Sequence, residues 1–82
     1  MIKVEIEREE IVNAFVQALG REGAEALMKI KLRDANLPNK KSYNLSELTL
    51  LVEEFRKEGT LIRTLASLIL STFRLGVIEK NR

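Results

Sequence analysis

The sequence predicts a mainly α-helical fold: about four helices in two helical hairpins, a small bundle, with a short N-terminal β-strand. Three observations carry this expectation. Apolar residues recur at helical spacing over most of the chain, glycines and one proline fall between the periodic stretches, and residues 2–7 alternate apolar with charged. A length of 82 residues fits one domain, 1–82. Folding a chain of this size withdraws only about 60–65% of its surface from water, so the core must be small. With 45% hydrophobic and 32% charged residues, the composition is that of a folded chain rather than a disordered one.

The strand is read from Ile2, Val4 and Ile6 alternating with Lys3, Glu5 and Glu7. A single strand is not stable alone. Its partner is expected in Val77-Ile78-Glu79, or in the same strand of a second copy. From about Arg8 to Leu19 the period changes to that of an amphipathic helix, with Ile11, Val12, Ala14, Phe15, Val16, Ala18 and Leu19 on one broad face. Gly20 or Gly23 ends it. The second helix, about Ala24 to Ala35, carries a polar stripe of Glu25, Lys29 and Arg33 at favourable four-residue spacing, and Pro38 stops it.

The third helix has the clearest start. Asn44 is a good N-cap, Glu47 completes a capping box, and Tyr43 and Leu48 are spaced as a hydrophobic staple. Its core face is Leu45, Leu48, Leu51, Val52 and Phe55, with Gly59 expected at the left-handed C′ position and Thr60 capping the next helix. The fourth helix, about Leu61 to Leu75, spreads its apolar residues over roughly 220° of the helical wheel. One small core needs about half that breadth. This helix is therefore central, or part of it contacts another chain. Leu50, isolated among Glu54 and Lys57 on the outer face of the third helix, points the same way. A faint internal repeat sets Val12, Phe15, Val16, Leu19, Glu22 and Gly23 against Leu48, Leu51, Val52, Phe55, Glu58 and Gly59.

Composition narrows the chemistry. Without Cys or His the chain has no disulfide, no thiolate or imidazole metal ligand, no thiol nucleophile and no imidazole base. A general base would have to be a carboxylate or a lysine. Glu9/Glu10 and Glu53/Glu54 are adjacent and point to different sides of their helices, and nothing near Glu7/Glu10 or Glu22/Glu25 raises a pKa. No phosphate-binding loop or serine elbow is present. The expectation is a protein that is not an enzyme and takes no cofactor. The N-terminus lacks the apolar stretch of a secretory signal, so the cytoplasm is the expected compartment and the Asn44-Leu45-Ser46 sequon is read as chance. Leu61 to Ile78 is about the minimum length for a bilayer span, but Arg63, Ser67, Ser71 and Arg74 line one side, which fits burial against protein, so no membrane partner is expected.

Three features bear on nucleic acid as a partner. Gly20-Arg21-Glu22-Gly23, between two helices that follow a strand, resembles the G-x-x-G loop of KH domains. That resemblance covers about residues 2–30 and implies backbone clamping of RNA at Gly20, Arg21 and Gly23. Glu22 departs from it, placing a negative charge where phosphate would pass. The third and fourth helices, running on to Leu75–Lys80, resemble a helix-turn-helix approaching a wing. This implies Thr60, Arg63, Thr64 and Ser67 in the groove, with Lys80 and Arg82 on phosphates. The order strand-helix-helix is similar to that of ribbon-helix-helix dimers, whose outward strand residues here would be Lys3, Glu5 and Glu7, net negative. Phe15, Phe55 and Phe73 lie on core faces, so no aromatic platform for bases is offered.

The reading that follows is a non-enzymatic helical protein-interaction module, expected to be a homodimer. Self-association is assigned to Ile2, Val4, Leu50, Leu68 and Leu70. The alternative is a small helix-turn-helix-like nucleic-acid-binding regulator using Arg63, Ser67, Lys80 and Arg82, or else Gly20, Arg21 and Gly23.

Overall fold

A computed structural model describes residues 5–80 of the chain, with side chains through Leu75. The order of elements is β1 (Ile6–Glu7), α1 (Arg8–Asp34), β2 (Ser42–Tyr43), α2 (Leu45–Phe55) and α3 (Thr60–Lys80). The expectation of a mainly helical fold with a short strand near the N-terminus holds. Among the described residues there are three helices rather than four.

The strand finds its partner inside the chain. β1 pairs antiparallel with β2, Ile6 opposite Tyr43 and Glu7 opposite Ser42. The Arg8 amide continues the ladder by donating to the Lys41 carbonyl at 2.7 Å. This corrects the expected pairing with Val77–Glu79, because residues 76–80 are helical and belong to α3. The physical reason lies at Tyr43. It precedes the N-cap of α2, where backbone is extended, and its fully buried ring belongs to the same core as Ile6. Its hydroxyl donates to the Pro38 carbonyl at 2.7 Å and accepts from the Lys40 amide at 3.0 Å, which closes the loop between α1 and β2. Ile2 and Val4 lie outside the described residues.

α1 is helical from Arg8 to Asp34 but for one residue. Gly20 has φ 75° and ψ 168°, a conformation open essentially to glycine alone. Arg8 reaches Glu25 at 2.9 Å, and Arg21 reaches Glu9 at 2.8 Å. On a straight helix those partners would be about 25 and 18 Å apart along the axis. The chain therefore doubles back at Gly20, and the expected first hairpin is one element folded at a single glycine with no loop. Glu25 pairs across this fold with Arg8 at 2.9 Å, and along its own half of α1 with Arg21 at 3.5 Å. α1 ends in a Schellman motif before Pro38 is reached. Asn36, at φ 59°, donates to the Arg33 carbonyl, and the Leu37 amide donates to the Leu32 carbonyl.

α2 begins as its sequence dictates. The Asn44 side chain accepts from the Glu47 amide at 2.8 Å, and the Glu47 carboxylate accepts from the Asn44 amide at 3.0 Å. It ends earlier than expected, with Arg56 as C-cap. Gly59 does not take the left-handed conformation expected of it; its carbonyl accepts from the Arg63 amide and starts α3. Arg56–Glu58 turn instead through amides that donate to the Val52, Glu54 and Phe55 carbonyls. The faint repeat also dissolves here. Gly23 lies within a helix while Gly59 begins one, and Leu19 is exposed where its counterpart Phe55 is buried.

The core is built mainly from α1 and α2. Ile11, Val12, Phe15, Ala24, Met28 and Leu32 of α1 meet Leu48, Leu51, Val52 and Phe55 of α2, with Phe15 and Phe55 stacked at 4.7 Å between ring centroids. α3 packs on both helices, yet Ala66 is its one fully buried residue among those described. Ile62, Leu65, Ile69, Leu70 and Phe73 are half-buried against the core. The broad apolar arc of α3 thus exceeds what this core covers.

Candidate interaction surface

The uncovered part of that arc is ordered. Leu61, Leu68 and Leu75 are 58%, 57% and 61% exposed, and they follow one another at seven-residue spacing. Two helical turns of about 3.6 residues bring a residue back to nearly the same face, so the three form one row. Thr64, Ser71 and Thr72 flank the row and are exposed as well. The charged residues between Leu61 and Leu75 are Arg63 and Arg74, which sit roughly 120–140° round the helix from Leu68 at 100° per residue. Between Leu61 and Leu75 the row itself carries no charge, and on the side of Thr64 and Ser71 it borders Arg56 and Arg63.

This placement sorts the residues assigned to self-association from sequence. Leu68 stands at the centre of the row. Leu70 points the other way and is half-buried against the core, apart from the row. Leu50 is 53% exposed, but it lies alone on α2. Leu61 and Leu75 were not singled out from sequence, although their seven-residue spacing from Leu68 was the available signal.

Beside the row lies a shallow hollow of about 290 Å³, lined by Arg56, Arg63, Thr64, Ser67, Leu68 and Ser71. Arg63, Thr64 and Ser67 are groove-facing residues of the helix-turn-helix reading, and the structure does bring them to one place. Arg56 joins them from the end of α2 because the turn before Gly59 is short; nothing in its sequence context marked it. Arg56 is 3.8 Å from Glu53, and Arg63 makes no ion pair among the described residues. Leu75–Lys80, which the helix-turn-helix resemblance ran towards a wing, continue α3 as helix. Arg82 and the side chain of Lys80 lie outside the described residues.

The G-x-x-G segment is engaged internally. Arg21 donates to both carboxylate oxygens of Glu9 at 2.8 Å and to Asn13 at 3.1 Å, and Glu9 pushes its pKa up, chiefly through the hydrogen bond. Gly20 is the bend of α1, and Gly23 sits within its second half, where a Cβ would meet that of Leu19 at 3.1 Å. Arg21 serves there as a clamp across the fold of the helix.

Among the described residues no group of three or more acidic side chains is placed to hold a metal ion, and no helix is long and apolar enough to cross a membrane. Comparison with protein-family models, curated proteins and solved structures finds no match.

Proposed function

We propose that this protein is a non-enzymatic interaction module that assembles as a homodimer through the outer face of α3. The observation that carries the reading is the row Leu61, Leu68 and Leu75, each more than half exposed along one line of the helix. Exposed leucines scattered singly are ordinary, whereas three in register along some 21 Å of helix form a contiguous apolar strip that water solvates poorly. Covering half of each of six leucines in a symmetric pair is worth on the order of 5–9 kcal/mol. Association costs on the order of 4–15 kcal/mol. The surplus is at most about 5 kcal/mol, which corresponds to a weak dimer with a dissociation constant on the order of 0.2 mM.

Light scattering and sedimentation over about 5–500 μM test this, a range that brackets that affinity. A mass rising from one chain to two supports the reading, and a single-chain mass throughout overturns it. Leu68→Glu should hold the protein monomeric with its helicity intact.

A second reading rests on the hollow between Arg56 and Arg63, where two guanidiniums and three hydroxyl side chains face one space. Such a site suits a phosphate backbone. Fluorescence anisotropy with labelled duplex DNA and single-stranded RNA, at about 50 and 200 mM salt, tests it: binding that weakens steeply with salt supports phosphate contacts.

A further inference from the structure

We propose that α1 opens at Gly20 into one straight helix, and that two opened copies exchange their first segments, residues 5–19, to form an intertwined pair. This goes beyond the reading above, because the exchange re-uses contacts of the core and leaves the leucine row of α3 as it is.

Two glycines hold the bend. Gly20, at φ 75° and ψ 168°, has a backbone that only glycine adopts without strain. It stands where the second half of α1 begins and has no side chain with which to cap the first amides of that half. A Cβ on Gly23 would lie 3.1 Å from that of Leu19. On a straight helix residues four apart hold their Cβ atoms about 5–6 Å from each other, so this crowding belongs to the bend. Straightening reverses the preference. Neither position then requires glycine, and alanine is the better helix former at both. Residues 8–19 and 21–34 are helical already, so straightening changes the backbone at one residue only.

What one chain loses on opening, a pair regains. Residues 5–19 are held by partners beyond Gly20: the β1–β2 ladder, the Arg8–Glu25 and Arg21–Glu9 ion pairs, and the stacking of Phe15 on Phe55. A second copy offers the same partners. A single opened chain leaves Ile6, Ile11, Val12 and Phe15 uncovered, which keeps it rare. Two opened chains bury these residues in each other, and exchange of an identical element is a low-cost route to a dimer. Short connections under strain favour such exchange, and the connection here is one residue long. Because opening exposes core, the exchanged pair forms as the chains fold and persists on dilution, unlike a weak contact through α3.

The strand ladder supplies the readout. Glu7 lies directly opposite Ser42. Residues so placed have Cα atoms about 4.5–5.5 Å apart, within reach of a disulfide. The chain has no cysteine of its own. Glu7→Cys with Ser42→Cys therefore links a closed chain to itself and an exchanged pair chain to chain. This variant is refolded from urea under reductant at about 5 and 500 μM, then oxidised mildly, and its covalent mass is read under denaturing conditions. Covalent pairs should be a minor fraction that grows with refolding concentration. Adding Gly20→Ala and Gly23→Ala strains the bent form alone and should raise that fraction about tenfold at the higher concentration. At the lower concentration, where closed chains prevail, the same strain shows as lost stability. A fraction that the alanines leave unchanged overturns the exchange, as does a link within single chains throughout. If the native mass is nonetheless dimeric in that case, the α3 reading stands without it. Failure of the alanine variant to fold at about 500 μM also overturns the proposal, because the straight form would then give no escape from the strain.

Discussion

The Nζ of Lys31 lies 2.6 Å from Glu58 Oε1, tying the second half of α1 to the turn between α2 and α3. Lys31 is the one charged residue in the buried core among the described residues, and Asp34, a second acidic neighbour, is 4.0 Å away. An ammonium withdrawn from water needs its counter-charge, so the two ends of the pair are unequal. Glu58→Ala leaves the buried cation almost alone and should cost about 1–2 kcal/mol, towards the lower range because Glu58 itself is partly exposed. Lys31→Met removes the need and should be near neutral. Urea unfolding of the two variants checks this, and equal losses would show that the pair contributes as a unit instead.

Two glycines that look alike in sequence should respond differently to alanine. Gly20 has room around it but a backbone conformation at φ 75°, so Gly20→Ala should cost about 1–3 kcal/mol through strain alone. Gly59 also has open space for a Cβ and lacks a left-handed backbone, so Gly59→Ala should change stability by less than about 0.5 kcal/mol. Thermal unfolding of both variants measures the contrast. A neutral Gly20→Ala would mean that the fold-back of α1 does not require glycine.

What the sequence made legible was local. The capping box of Asn44 and Glu47 and the buried face of α2 depend on residues within a few positions of one another, and both stand as expected except that Leu45 is only partly buried. What escaped depended on contacts between distant segments. No local pattern tells Ile6 that its partner is Tyr43, 37 positions away, or that Lys31 will be covered by the turn at Glu58. The hairpin at Gly20 was anticipated, but its closure by Arg8–Glu25 and Arg21–Glu9 needed the two halves of α1 in hand. Gly59 misled because a glycine after a helix commonly takes the left-handed position, whereas here the turn closes through Arg56–Glu58 first. In the candidate surface, the excess breadth of the α3 apolar arc was readable, but the half of it left uncovered was not. That depended on how α3 lies over α1 and α2, which turns Leu70 towards the core.

Acid should weaken this fold in a narrow window. Glu25 is held below the ordinary carboxylate value of 4.5, first by its hydrogen bond from Arg8; Glu47 is held below it by its hydrogen bond from Lys40 and then by the Asn44 amide. A carboxylate whose pKa is lowered on folding contributes stability that is complete above its unfolded value and lost as pH falls through the folded one. The melting temperature should therefore stay level from neutral pH down to about pH 5 and fall below about 4.5. Lys40→Met should shrink the acid-dependent part by removing the largest cause acting on Glu47. A melting temperature that already falls between pH 7 and 5 would point to groups other than these two.

The leucine row should be nearly silent in the stability of one chain and decisive in the stability of the assembly. Leu61, Leu68 and Leu75 each leave more than half their surface in water, so a triple change to Gln removes little from the core and should alter single-chain stability by less than about 1 kcal/mol. Assembly makes stability depend on protein concentration, because only the folded chain binds its partner. The unaltered protein should therefore melt higher as concentration rises from about 5 to 500 μM, and the triple variant should melt at one temperature throughout. At the lowest concentration the two curves should converge. A concentration-dependent melt retained by the triple variant would place the assembling surface away from α3. A large loss of stability at the lowest concentration would show instead that the row belongs to the core of the single chain.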